Sequence, residues 1–277
     1  MGQRKISSMR GFDGFESSMS APVITSRANA RVKQLRGAFA GQARLSGGLV
    51  AIEGEHLLEE ALRSGMVFKT VFVAEGRGVP DGVPRGVEVL RVTDEVFASV
   101  VETQSPQGVA GLLVPPVRRM EDVLKGMPLI LIAVGLQDPG NLGTLVRSAE
   151  AFGATGVVTT PGTVSAWNQK ALRASAGSVF RVPVVSATAE EVGGLIPRGV
   201  RLIAAVGAGG DEVREGDFVW GCGVMIGNEG AGLPAEWLAM ANARVTIRCP
   251  GPVESLNAAV AGSLLLYEAS RQRVRHG

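Results

Sequence analysis

The chain has 277 residues, 45% of them hydrophobic and 19% charged, with 28 Lys and Arg against 26 Asp and Glu. That length allows two domains with buried cores, and so small a net charge names no partner by itself. Two histidines, His56 and His276, and two cysteines, Cys222 and Cys249, argue against a histidine triad, a histidine-ligated metal or a disulfide framework, and fit a reducing cytoplasm.

Residues 1–20 are polar, lack the apolar centre of a secretory signal and read as a flexible tail. Residues 21–114 read as a small α/β domain. It opens with a basic helix in RANARVKQLRGAFAGQARL. Five basic residues, Arg27, Arg31, Lys33, Arg36 and Arg44, fall between Ser17 and Ala51, where there is no acid. Such a segment can attract phosphate, a use favoured by the lack of a balancing acid over its alternative, a solvated helix face. GLVAIEG, KTVFVAEG, GVEVLRV and GVAGLLV predict strands; EHLLEEALRSG and TDEVFASVV predict helices. Proline and mixed charge make 115–127 a linker. Residues 128–277 form the second domain, with strands in LILIAVG, TGVVTT, PVVSA, RLIAAVG, CGVMIG and ARVTI, most of them separated by helices. That pattern is an open, mostly parallel sheet, which binds ligands beyond its strand ends. No apolar run reaches the length of a membrane span.

Three segments of the second domain carry candidate chemistry. In QDPGNLGTLVRSAEAFG, Asn141 stands where a helix N-cap is expected after the Pro139-Gly140 turn. Leu142, Leu145, Val146, Ala149 and Phe152 recur at inward-facing helical spacing, and Gly153 closes the helix. Arg147 interrupts that surface, either to reach solvent or to do work. In IGNEGAGLP, Gly227, Gly230 and Gly232 permit a sharp turn and close approach to a ligand. The spacing G-x-x-G-x-G is not the dinucleotide fingerprint, and there is no P-loop lysine, so a nicotinamide oxidoreductase is disfavoured. Glu229 suits either a helix start, through the helix dipole, or acceptance of a hydrogen bond from a hydroxyl or amine. In PGPVESLNAAVAGSLLLYEASRQ, Ser255 is the expected N-cap. Ala258, Ala259, Ala261 and Gly262 thin one helix face, and Asn257 is an oddity as a weak helix former. Arg271, Arg273 and Arg275 are expected to complement the helix C-terminus.

Together these segments resemble the three motifs of the SpoU (TrmH-like) RNA 2′-O-methyltransferases of the SPOUT superfamily: NLGTLVRSAEAFGATGVV, IGNEGAGL and SLNAAVA. LRASAGSVFRVPV resembles a further family segment. NARVKQLR, AIEGEHLLEEAL and TQSPQGVAG resemble the substrate-binding domain of ribosomal-RNA members, which has a ribosomal-protein-like α/β fold. The resemblance implies a carboxy-terminal α/β domain with a deep trefoil knot, a rare exception to unknotted topology, beside that smaller domain. It implies that S-adenosylmethionine is held in the knot, with Ala205, Val206, Gly207, Ile226, Gly227, Ile247 and Leu256 around it. It implies a homodimer in which Arg147 of one subunit faces the partner's cofactor, assisted by Asn141, Glu229, Ser255 and Asn257. Arg27, Arg31, Lys33 and Arg36 would then meet RNA, and the amino domain favours 23S ribosomal RNA over transfer RNA. A transfer-RNA enzyme and a non-catalytic RNA-binding protein on the same fold stand as alternatives.

Overall fold

A computed structural model describes residues 22–253 and 255–276; the expected tail at 1–20 lies outside them. The amino domain runs α1 (Ala30–Phe39), α2 (Ala43–Ser46), β1 (Val50–Glu53), α3 (Glu55–Arg63), β2 (Val67–Ala74), β3 (Glu88–Val92), α4 (Asp94–Ala98) and β4 (Val109–Val114). Its sheet has the order β1-β4-β2-β3, antiparallel except for the β2–β3 pair. The expected basic helix is two helices, because the chain turns at Ala40–Gln42 before α2.

The segment 115–127 is more than a linker. It contains α5 (Met120–Val123), whose Val123 is fully buried in the core of the second domain. The Thr155 hydroxyl donates to the Val123 carbonyl at 2.5 Å.

The second domain runs β5 (Leu129–Ala133), α6 (Pro139–Ala151), β6 (Gly156–Thr159), α7 (Gln169–Ser175), α8 (Ser178–Arg181), β7 (Val184–Ser186), α9 (Ala189–Gly193), β8 (Arg201–Ala205), β9 (Asp211–Glu212), β10 (Cys222–Ile226), α10 (Ala235–Met240), β11 (Ala243–Thr246) and α11 (Ala258–His276). Its strands lie in the order β7-β6-β5-β10-β8-β11-β9, and every pairing is parallel. The central strands are covered on both faces, so β5 and β10 are apolar throughout and fully buried. β9, only two residues long, escaped the hydrophobic pattern.

Helix starts are the main correction. Asp138, not Asn141, caps α6: its Oδ1 accepts from the Asn141 N–H at 2.8 Å, and Pro139 occupies the first helical position. Asn257, not Ser255, caps α11, with its Oδ1 accepting from the N–H groups of Ala259 at 2.9 Å and Val260 at 3.3 Å. That explains a weak helix former at this place. The thin face of α11 does admit α6. A Cβ on Gly262 would sit on the Leu145 side chain, and the Ser148 and Ser263 hydroxyls are 2.6 Å apart.

The arginines near the end of α11 have other partners than the helix terminus. Arg271 pairs with Glu268. Arg273 donates to the carbonyls of Phe218 (2.8 Å), Met127 (2.9 Å), Pro128 (2.9 Å) and Trp220 (2.6 Å), closing the end of the sheet where β5 and β10 begin. The side chain of Arg275 is outside the described set. Buried Cys222 lies 3.5 Å from Arg273; burial pushes its thiol pKa up against the pull of that guanidinium.

Candidate functional site

The C-terminal ends of β8, β10 and β11 open on a cavity of about 620 Å³. It sits where β10 is inserted between β5 and β8, a reversal of strand order of the kind that creates ligand crevices. All seven cofactor candidates line it: Ala205, Val206 and Gly207 after β8, Ile226 and Gly227 at the end of β10, Ile247 after β11 and Leu256 before α11. Val253, Ala258 and Leu265 extend the apolar wall. Its size lies within the ~300–1,000 Å³ usual for small-molecule sites.

The loop after β10 is held by its own polar groups. Asn228 and Gly232 exchange backbone hydrogen bonds of 3.1 and 2.9 Å. The Asn228 Oδ1 accepts from Gly230 (2.9 Å) and Ala231 (3.2 Å), while its Nδ2 donates to the Gly135 carbonyl beyond β5 (3.0 Å). A Cβ on Gly227 would collide with the Gly232 carbonyl carbon, so that position needs glycine. Sequence reasoning passed over Asn228, although an amide between two glycines is a signal for such a turn.

Three of the five catalytic candidates form one hydrogen-bonded row. The Asn257 Nδ2 donates to the Asn141 Oδ1 at 3.0 Å, and the Asn141 Nδ2 donates to the Glu229 Oε1 at 2.8 Å. Residues 116 and 88 positions apart thus meet on the cavity rim, since Glu229 also lines the cavity. Glu229 stands before the α10 cap, Pro234, so its hydrogen-bonding role replaces the helix-start one. Ser255 lines the cavity as well. Arg147 does not. It is exposed on α6, two turns beyond the row, and holds no hydrogen bond or ion pair among the described residues.

Asp138, not singled out from the sequence, anchors the start of α6. Lys170 Nζ approaches its Oδ2 at 2.7 Å. That hydrogen bond, with the one from the Asn141 N–H, holds the Asp138 carboxyl below the usual carboxylate range. An acid directly before a proline at a helix start is the signal that would have found it.

On the amino domain, Arg27 and Lys33 are exposed. Arg31 pairs with Glu88 of β3 at 3.1 Å, and Arg36 reaches the Ser99 hydroxyl at 3.5 Å. The acid that sequence reasoning found missing nearby comes from a strand 57 residues away. Among the described residues no group of His, Cys, Asp and Glu is arranged to hold a metal ion, and no helix is long and apolar enough to cross a membrane.

Comparison with known proteins gives this geometry a context. The profile of the SpoU rRNA Methylase family matches residues 128–267, and that of the MRM3-like substrate binding domain matches residues 29–111. The chain is 34% identical over 245 residues to the 23S rRNA (guanosine(2553)-2′-O)-methyltransferase RlmP of Bacillus subtilis, covering 88% of this chain and 97% of that protein. Its fold superposes on the crystal structure of an AdoMet-bound rRNA methyltransferase from Sinorhizobium meliloti with a TM-score of 0.79 and 31% identity, covering 91% of this chain and 98% of that one. The SpoU methyltransferase AviRb of Streptomyces viridochromogenes, in complex with AdoMet, superposes at 0.80 with 26% identity, covering 89% and 98%. With both domains matched, and with the motif residues other than Arg147 meeting at one cavity and its rim, the chain belongs to the SpoU rRNA methylase family.

Proposed function

We propose that this protein transfers a methyl group from S-adenosylmethionine to a ribose 2′-hydroxyl of ribosomal RNA, as a homodimer whose site is completed across the subunit boundary. The observation that carries this reading is the row Asn257–Asn141–Glu229 on the rim of a cavity lined by all seven cofactor candidates. The printed activity of RlmP and the AdoMet complexes of the two crystal structures support the same reaction class.

The residues present fit the cofactor. Ile226, Leu256 and Leu265 offer apolar surface for a purine, and Gly207 and Gly227 bring backbone without a side chain to the cavity wall. When bound, S-adenosylmethionine supplies a sulfonium methyl open to in-line attack by a hydroxyl oxygen. His56 does not line the cavity, and among the described residues no imidazole stands ready as a base. A guanidinium stays protonated in proteins. Arg147 therefore positions the nucleotide and stabilises the negative charge developing on the attacking oxygen. Asn141, Glu229 and Asn257 hold the start of α6 against the cavity loop, which keeps Arg147 in register; Ser255 faces the same space.

Arg147 is off its own cavity, which supports action on the partner's site. Beside it, α11 exposes Val260 (47%), Leu264 (42%) and Tyr267 (52%) at helical spacing. Tyr267 also packs edge-on against Phe152, at the end of the helix that carries Arg147. This apolar stripe is the surface through which two copies meet in our reading. In the same reading the segment between β11 and α11 threads the preceding loop to form the trefoil knot, consistent with β10 lying between β5 and β8. On the amino domain, Arg27 and Lys33 are open to phosphate, while Arg31 and Arg36 shape that face and exchange partners when RNA arrives.

The test uses two inactive variants. Arg147→Ala is expected to remain a folded dimer, bind S-adenosylhomocysteine normally and lose at least about a hundredfold in turnover, the scale of one lost charge-stabilising group. Gly227→Val is expected to lose cofactor binding. Mixed and re-dimerised, the two regain activity, because one site in each heterodimer has both an intact cavity and an intact partner arginine. Absence of any recovery, with heterodimers demonstrated, would refute action across the boundary.

A further inference from the structure

We propose that Arg181 is a positioning residue that locks the amino domain to helix α6, so that the distance from the RNA-holding face to Arg147 is set by the fold and selects the nucleotide. The proposal rests on the reading that the amino domain holds RNA. Its own support is the junction between the domains. Arg181, at the end of α8, grips both with one guanidinium. Its Nε and Nη2 donate to the two carboxylate oxygens of Glu150, the latter at 3.0 Å. Its Nη1 donates to Glu60 Oε2 of α3 at 2.7 Å and to the Ser64 hydroxyl at 3.2 Å. Glu150 lies on α6 one turn beyond Arg147. The guanidinium thus links the amino domain to the helix that bears Arg147.

The surroundings make this link stiff. The Glu60 side chain is only 15% exposed. The backbone at Gly177, with φ of 87°, runs so near that a Cβ there would lie 2.7 Å from the Glu60 Cβ. The amide of Gln169, itself buried, donates to the Ala51 carbonyl of edge strand β1 at 2.8 Å. Leu57, Leu58 and Ala61 of α3 share one continuous apolar core with Leu172, Val179 and Phe180. A bidentate guanidinium–carboxylate pair adds direction to that apolar contact, which by itself permits sliding. A surface pair of this kind adds little to stability. Its effect is geometric, and a small misplacement of the substrate costs rate steeply.

The full-length protein tests this. Arg181→Ala is expected to keep its sedimentation coefficient and its affinity for S-adenosylhomocysteine. Its kcat/KM on a ribosomal RNA fragment falls at least about tenfold, and a nucleotide-resolution map of 2′-O-methylation shows new sites beside the native one. Arg181→Lys, whose ammonium cannot fork between two carboxylates, rescues in part. Glu60→Gln, which weakens only the amino-domain grip, shifts the map in the same direction and serves if Arg181→Ala does not fold. A wild-type map and KM in folded Arg181→Ala, or in folded Glu60→Gln, overturns the proposal. A separate Arg27→Ala, Lys33→Ala variant keeps the underlying reading distinguishable. Unchanged RNA affinity there removes the amino domain's RNA role. Reduced affinity there, with the Arg181→Ala map unchanged, removes this inference alone.

Discussion

Asn257 does two things with one side chain. Its Oδ1 caps α11, and its Nδ2 donates to Asn141. The two are separable. Asn257→Asp keeps the cap and loses the donor, so thermal stability should change by less than about 0.5 kcal/mol while turnover falls. Asn257→Ala loses both, with about 1 kcal/mol of stability gone as well. Melting curves beside initial rates check this; equal rates for Asp and wild type would confine Asn257 to capping. At this scale the sequence was partly legible. Asn141, Glu229 and Asn257 stand out because each is polar inside an apolar or glycine-rich run. Their mutual bonds were not legible, because they join residues 88 and 116 apart. The true cap of α6 was missed because the Pro139-Gly140 pair reads as a turn, whereas proline at the first helical turn gives up no hydrogen bond.

Helix contacts depend on missing side chains. On α6, a Cβ at Gly143 would overlap the Ala171 carbonyl oxygen of α7; on α11, one at Gly262 would overlap the Leu145 side chain. Backbone cannot step aside as a leucine methyl can. Gly143→Ala should therefore cost more than Gly262→Ala, about 3 against about 1–2 kcal/mol, within the range seen for overpacked cores. Urea titrations give the order, and the reverse order would contradict the α6–α7 packing described. The strands were the most legible elements, since buried parallel strands read as unbroken apolar runs. β9 was not, because two residues carry no period. The segment 115–127 read as a linker from its prolines and charges, and only its docking revealed Val123 as core.

For the whole molecule, acid should loosen the seam at Arg181 and a pairing within α11. Glu150 is held below the usual carboxylate range chiefly by the Arg181 hydrogen bond, and Glu268 by that of Arg271. A carboxyl with a depressed folded pKa adds stability above its unfolded value and loses it as pH falls through the folded one. Stability should then hold near neutrality and decline below about pH 4–5, where unpaired carboxylates begin to protonate. Arg181→Ala should make that decline shallower, because one of the depressed groups is released. Denaturation midpoints at stepped pH measure both slopes, and parallel slopes would deny the coupling. The Arg181 seam could not be read from the sequence, since Arg181 meets Glu60 across 121 positions, whereas Glu268 and Arg271 stand one turn apart on α11. The grip of Arg273 on four carbonyls has a temporal side. Met127, Pro128, Phe218 and Trp220 are translated well before residue 273, so a nascent chain arrested short of α11 holds every strand yet cannot seal that edge of the sheet. Stalled chains with residues up to about 257 beyond the exit tunnel should stay open to protease, and those carrying all of α11 beyond it should resist it. This domain would then mature in a single late step, whatever order its strands emerge in.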